Sequence, residues 1–186
     1  MGYIILVTGG ARSGKSTFAE KAAKEFGDGI LYIATSIPVD AEMEYRIKKH
    51  RERRPQSWET IEAYKNLDEE IQARLAGKAA IVLDCMTIMI SNLMLERHVE
   101  WDNASPDEIE GTELYIKNEV EKLVKTAEFS SVPFIIVTNE LGMGVVPEYA
   151  SGRIFRDVAG RINQMLANAA REVYFCVSGI PVKIKG

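Results

Sequence analysis

Gly9-Gly10-Ala11-Arg12-Ser13-Gly14-Lys15-Ser16 fits the pattern G-x-x-x-x-G-K-[ST], with glycines framing a short loop and an ammonium and a hydroxyl at its end. Glycines let successive backbone N–H groups converge on phosphate oxygens, and a helix starting where the loop ends adds the positive end of its dipole. Lys15 then reaches the β- and γ-phosphates of a bound nucleotide, and Ser16 offers a hard oxygen ligand to Mg2+. The pattern carries this meaning only between a strand and a helix. Residues 3–7 are a β-branched apolar run and residues 16–26 have helical character, so the context is the required one. A glycine-rich turn that spells the motif by coincidence is the alternative; with glycine near 7% of residues, its chance is on the order of one in a hundred or less.

A magnesium-bound triphosphate usually needs a second acidic contact. Asp84 stands at the end of the apolar run 79–83, where a Walker-B carboxylate would, and adjacent parallel strands would bring it near Ser16. The other reading is an aspartate capping a helix that starts at Thr87. These features leave the reaction open, because phosphate loops serve kinases, switches and motors alike. Guanine-reading switches carry N/T-K-x-D late in the chain. Here Asn139-Glu140-Leu141-Gly142 occupies that place, which counts against an ordinary GTPase switch.

His50 is the one histidine with a chemical neighbourhood. If residues 40–54 are helical, Arg46, His50, Arg53 and Arg54 lie on neighbouring turns. A neutral imidazole is a competent nucleophile near pH 7, and the arginines would hold phosphates while disfavouring a further positive charge on the ring. From spacing alone, the plainer reading is a solvated basic helix face bearing an incidental histidine. His98, the other histidine, follows a helical segment and reads as a capping or surface residue.

The elements that must position these groups are readable from periodicity. Apolar runs recur at 3–7, 30–34, 79–85, 134–138 and 172–178, giving five strands, with 181–185 as a short edge strand. Runs apolar at nearly every position belong to strands buried on both faces. Helical periodicity with charged outer faces marks 40–54, 66–75, 88–97, 112–129 and 154–170, the first ending before Pro55. The polar stretch 100–111 reads as a mobile connection. The expected fold is α/β, P-loop NTPase-like, with a mostly parallel central sheet flanked by helices and one domain spanning 1–186. A composition 46% hydrophobic and 27% charged suits such a core. The net charge of -4 supplies no general field for a polyanion, so nucleic acid is not an expected partner. Cys85 and Cys176 lack C-x-x-C spacing and read as buried reduced thiols. No apolar run approaches the ~20 residues of a membrane span, and no charged leader precedes the first strand, so a cytoplasmic location is expected.

Beyond single motifs, the chain resembles the bifunctional adenosylcobinamide kinase / adenosylcobinamide-phosphate guanylyltransferase family along nearly its whole length. Besides the phosphate loop, the resemblance rests on Tyr32-Ile33-Ala34-Thr35-Ser36, on Arg46-Ile47-Lys48-Lys49-His50-Arg51 with Arg54-Pro55 and Trp58, and on Asp84-Cys85-Met86-Thr87 with Ser91-Asn92-Leu93. It continues through Thr138-Asn139-Glu140-Leu141-Gly142-Met143-Gly144-Val145-Val146-Pro147, Gly160-Arg161-Ile162-Asn163-Gln164 and Val177-Ser178-Gly179-Ile180-Pro181-Val182-Lys183. The 139–147 element and the His50 neighbourhood are the narrow signals.

The resemblance implies two reactions: transfer of a γ-phosphate from ATP or GTP to the aminopropanol hydroxyl of adenosylcobinamide, then attachment of GMP to adenosylcobinamide phosphate. In the second, a histidine matching His50 attacks the α-phosphorus of GTP. It further implies nucleotide contacts at Ala34, Thr35, Ser36, at Arg51, Glu52, Arg53, Arg54, at Glu62 and at Asp84, with Mg2+ held by Ser16 and Asp84. Glu62 would otherwise read as an exposed acid on a loop, and 139–147 as either a substrate-side loop or an ordinary connection. A homo-oligomer, such as a trimer, is the assembly the resemblance implies. A small-molecule kinase without guanylyl transfer, or a nucleotide-binding regulator without turnover, are the rival readings.

Overall fold

The computed structural model describes residues 2–37, 51 and 55–186. The helix expected over 40–54 lies outside these residues except for Arg51. The five apolar runs form β1 (Ile4–Gly9), β2 (Ile30–Ala34), β4 (Ala80–Asp84), β5 (Phe134–Val137) and β6 (Glu172–Val177). Two further strands, β3 (Glu59–Glu62) and β7 (Ile180–Lys185), complete a seven-stranded sheet in the order β3-β2-β4-β5-β1-β6-β7. All neighbours are parallel except the β6–β7 hairpin.

The sheet therefore exceeds the five strands expected by two. β7 is the edge strand anticipated at 181–185. β3 escapes a search for apolar runs because it is an outer strand with Glu59, Thr60 and Glu62 exposed and only Ile61 buried. Strands β2, β4 and β5 lie inside the sheet and are buried almost throughout, which is why they read as continuous apolar runs.

The helices are α1 (Lys15–Lys24), α2 (Leu67–Gln72), α3 (Met86–Leu95), α4 (Pro106–Phe129) and α5 (Ala150–Ala169). The stretch 100–111 is not the loose connection its polarity suggests. Trp101–Asn103 forms a 3-10 turn, and α4 begins at Pro106 behind a capping box in which Ser105 and Glu108 satisfy each other's backbone amides. The Ser105-Pro106-Asp107-Glu108 sequence is thus a helix start whose composition mimics a loop.

Period-two alternation along the strands divides the core in two. Ile4, Leu6, Leu31, Ile33, Ile81 and Leu83 face α2 to α5, whereas Ile5, Val7, Tyr32, Val82 and Val137 face α1 and Trp58. α1 is amphipathic to match, burying Ala19 and Ala23 against the second face. Among the described residues, no helix is long and apolar enough to cross a membrane.

Candidate active site

The parallel strands end together, and their register places the sequence-marked residues in one row. Glu62 pairs with Ala34, Ala34 with Asp84, Asp84 with Val137, and Val137 with Val7, two residues before Gly9. Ligand sites of open α/β sheets form beyond such carboxyl ends.

At β1 the chain leaves the sheet through Gly9 and turns into α1 at Gly14, whose φ of 93° is left-handed; Arg12 adds a φ of 55°. The loop is fixed from three sides. Ser13 N donates to Gly10 O at 3.3 Å, Glu140 N to Gly9 O at 3.0 Å, and Gly179 N to Ser13 O at 2.9 Å. The last bond comes from the β6–β7 turn, where Ser178 (φ 51°) and Gly179 (φ 85°) are both left-handed, as a tight two-residue hairpin requires. Engaging the Ser13 carbonyl from outside helps hold the loop in one conformation.

Lys15 is the buried charge of the site. It is 7% exposed, and its Nζ donates to Gly10 O at 2.6 Å and Ser13 Oγ at 3.5 Å. Burial lowers its pKa from the usual lysine value, with Cys85, Asp84 and Cys176 near enough to pull the other way. Ser16, half-buried, follows on the first turn of α1. Gly10, Ala11 and Arg12 are exposed along the rim.

Asp84 does not lie on a strand next to β1. β5 stands between them, so the two strand axes are about 10 Å apart. Nor does Asp84 cap a helix: α3 starts at Met86 with Cys85 in the capping position and no side-chain cap. Its Oδ2 instead accepts from Tyr32 Oη at 2.7 Å. Among the described residues, no cluster of three histidine, cysteine or acidic side chains could cage a metal alone. The Ser16 hydroxyl and the Asp84 carboxylate are nonetheless hard oxygen donors of the kind Mg2+ accepts alongside phosphate oxygens and water, so the donor set fits.

Thr35, fully buried, ties the ends of β2 and β4 together. Its Oγ1 donates to Cys85 O at 2.8 Å and accepts from Cys85 N at 2.9 Å, while its own N donates to Asp84 O and its carbonyl accepts from Asn92 Nδ2 at 2.8 Å. Thr35→Val keeps the shape but strips both partners from Cys85. We expect a loss of about 1–3 kcal/mol in urea unfolding, largely restored by Thr35→Ser. The Cys85 thiol is pushed up to about 11, chiefly by burial, and so is unreactive at neutral pH; Cys176 is buried and free as well.

Ser36 is half-buried beyond Thr35. Arg51 and Glu62 meet in an exposed ion pair at the end of β3, so two residues expected around the nucleotide are neighbours, and Glu62 belongs to a strand rather than a loop. His50, Glu52, Arg53 and Arg54 lie outside the described residues. His98 is an exposed residue in a turn after α3, at a φ of 53°.

Sequence reasoning assigned no role to four groups that hold this site. Tyr32 positions Asp84, Asn92 holds Thr35, and the Gly179 turn braces the loop. Asn163 on α5 accepts from Thr138 Oγ1 at 2.7 Å and donates to Asn139 O at 3.0 Å, and Asn139 Nδ2 reaches Thr87 Oγ1 at 2.7 Å. Polar residues at strand ends, and the Ser178-Gly179 turn signal, are the marks that could have found them.

Comparison with known proteins adds the chemistry. Residues 5–184 match the family described as cobinamide kinase / cobinamide phosphate guanyltransferase. The chain is 46% identical over 184 residues to the bifunctional adenosylcobalamin biosynthesis protein CobU of Escherichia coli K12, covering 98% of this chain and 99% of that one. It is 47% identical over 189 residues to the protein of the same name from Salmonella typhimurium LT2, covering 98% and 99%. The corresponding CobP protein of Pseudomonas aeruginosa is 36% identical over 181 residues, covering 97% and 96%. With a phosphate loop between β1 and α1 and a match running nearly end to end, the chain belongs to the cobinamide kinase / cobinamide phosphate guanyltransferase family.

Proposed function

We propose that the protein phosphorylates adenosylcobinamide with a nucleoside triphosphate and then transfers GMP from GTP to the resulting phosphate, giving adenosylcobinamide-GDP. The observation that carries this is the near end-to-end match to the cobinamide kinase / cobinamide phosphate guanyltransferase family, joined to the phosphate loop: a buried lysine held at 2.6 Å from a loop carbonyl, on a backbone braced by β6–β7 and by Glu140. Gly9 to Ser16 bind the β- and γ-phosphates. A phosphate oxygen offers Lys15 a charged acceptor where Gly10 O offers a neutral one, adding Coulombic attraction to a bond whose donor is already ionised. Ser16 and Asp84 are the residues that would hold Mg2+, and the metal would supply neutralisation of charge developing on the transferred group.

In the second reaction, the His50 imidazole attacks the α-phosphorus of GTP. A P–N bond forms and pyrophosphate leaves; the phosphate of adenosylcobinamide phosphate then attacks, and the P–N bond breaks. Ala34, Thr35, Ser36, Arg51, Glu52, Arg53, Arg54 and Glu62 border the nucleotide in this reading, supported by the register row and the Arg51–Glu62 pair. The guanylyl step is tested by intact mass after incubation with GTP and Mg2+. One GMP per chain is expected, in the peptide carrying His50. No adduct, or an adduct elsewhere, overturns the assignment.

The same reading includes a homo-oligomer, such as a trimer. It is supported by β7, an outer strand exposed along its whole length with Ile180, Val182 and Ile184 open to solvent.

A further inference from the structure

The segment after β5 combines two properties that rarely coincide: it is pinned, and it is apolar outside. Its base is fixed to the phosphate loop by Glu140 N on Gly9 O at 3.0 Å and to α5 by Asn163 Nδ2 on Asn139 O at 3.0 Å. Glu140 Oε1 accepts from Gly142 N at 2.6 Å, and Arg153 holds the far end through the carbonyls of Pro147 and Glu148. Above these anchors Met143 is 80% exposed, Val145 95%, Val146 59% and Tyr149 69%. A loop held at both ends yet turning four large apolar side chains outward marks a contact surface.

Its place in the fold says what touches it. The segment leaves the sheet between β1, which carries the phosphate loop, and β4, which carries Asp84. An acceptor must bring its hydroxyl to within about 3.5 Å of the γ-phosphorus. A bulky acceptor on a short arm must therefore rest its body beside the loop's rim. Glu140 N donates to Gly9 O, so the base of this segment adjoins the phosphate loop.

We infer that Met143, Val145, Val146 and Tyr149 form the seat for the corrinoid macrocycle of the acceptor, the side chains covering its apolar ring edge while the Glu148 carboxylate meets its amide N–H groups. This rests on the function proposed above. A second copy of the chain is the less favoured occupant, because β7, at the far edge of the sheet, already presents an apolar strand for association.

The test is a triple variant, Met143→Ser with Val145→Ser and Val146→Ser, whose side chains are exposed and so leave the core untouched. KM for cobinamide should rise at least ~tenfold. KM for the nucleotide, the extent of GMP loading from GTP alone and the mass by light scattering should all stay at wild-type values. An unchanged cobinamide KM, with GMP loading intact, overturns the seat alone. A changed particle mass with all constants altered together makes the segment a subunit contact and also overturns it. A wild-type protein that neither loads GMP nor phosphorylates cobinamide overturns the function and the seat with it.

Discussion

Lys15→Met will lower the rate of phosphoryl transfer by about 10²–10³-fold while leaving the protein at least as stable as wild type near neutral pH. The rate falls because Lys15 is a charge held in place before the substrate arrives. The residue is 7% exposed and its ammonium is anchored on Gly10 O and Ser13 Oγ, in a loop whose backbone is tied to β6–β7 and to Glu140. On the proposed reading, no reorganisation is then needed as negative charge builds on the γ-phosphoryl oxygens. Arginine will not restore the rate, since a planar guanidinium needs more width than this loop gives an ammonium.

Stability moves the other way for the same reason. Burial lowers the Lys15 pKa below its usual 10.5, so between the lowered value and 10.5 the unfolded chain binds more protons, and stability rises with pH across that window. Below the window the folded protein carries the desolvation cost in full, which methionine of similar length removes. Initial rates at saturating ATP and cobinamide, with urea titrations at pH 7, check both halves. An unchanged rate removes Lys15 from the catalytic machinery, and a large stability loss makes its role structural.

What the sequence reveals depends on how local the cause is. The phosphate loop is legible because one continuous segment makes it, with glycines whose backbone angles and a lysine whose position follow from the motif. The strands β1, β2, β4, β5 and β6 are legible because burial on both faces leaves little choice but apolar residues. β3 is not, because one covered side chain, Ile61, leaves no pattern.

Strand order is the larger gap. Asp84 reads as a carboxylate at a strand end, but nothing within residues 79–84 reports that β5, fifty residues later, inserts between it and β1. The bonds that align the site likewise join distant segments: Tyr32 to Asp84, Thr35 to Cys85, Gly179 to Ser13, Asn163 to Asn139. Each involves a residue ordinary for its own element. A polar residue at a strand end, a turn signal or a full-length resemblance can point to such residues, but none of them says what they touch.

Gly9→Ala will cost about 2–4 kcal/mol of stability and weaken nucleotide binding at least ~tenfold, whereas Gly10→Ala, one residue on, will change stability by less than about 0.5 kcal/mol. Within G-x-x-x-x-G-K-[ST], Gly9 stands at a fixed glycine and Gly10 at a free position, and the structure gives the physical reason. Gly9 has a φ of 149°, and a β-carbon there would stand 2.4 Å from Cys176 O and 2.9 Å from Ser13 Oγ. The first obstacle is backbone in β6, paired in register with Gly9, and cannot move without parting the two strands. Parting them also shifts Gly179, the donor to Ser13 O, so the loop would lose its brace together with its geometry. At Gly10 a β-carbon meets nothing within 4 Å. Urea midpoints and calorimetric nucleotide titration of the two variants check whether the requirement sits at the β1–β6 contact. Equal losses at both positions would place the constraint in the loop's own flexibility. Loss at Gly9 alone ties the phosphate site to the β6–β7 hairpin, whose outer strand is exposed along its length.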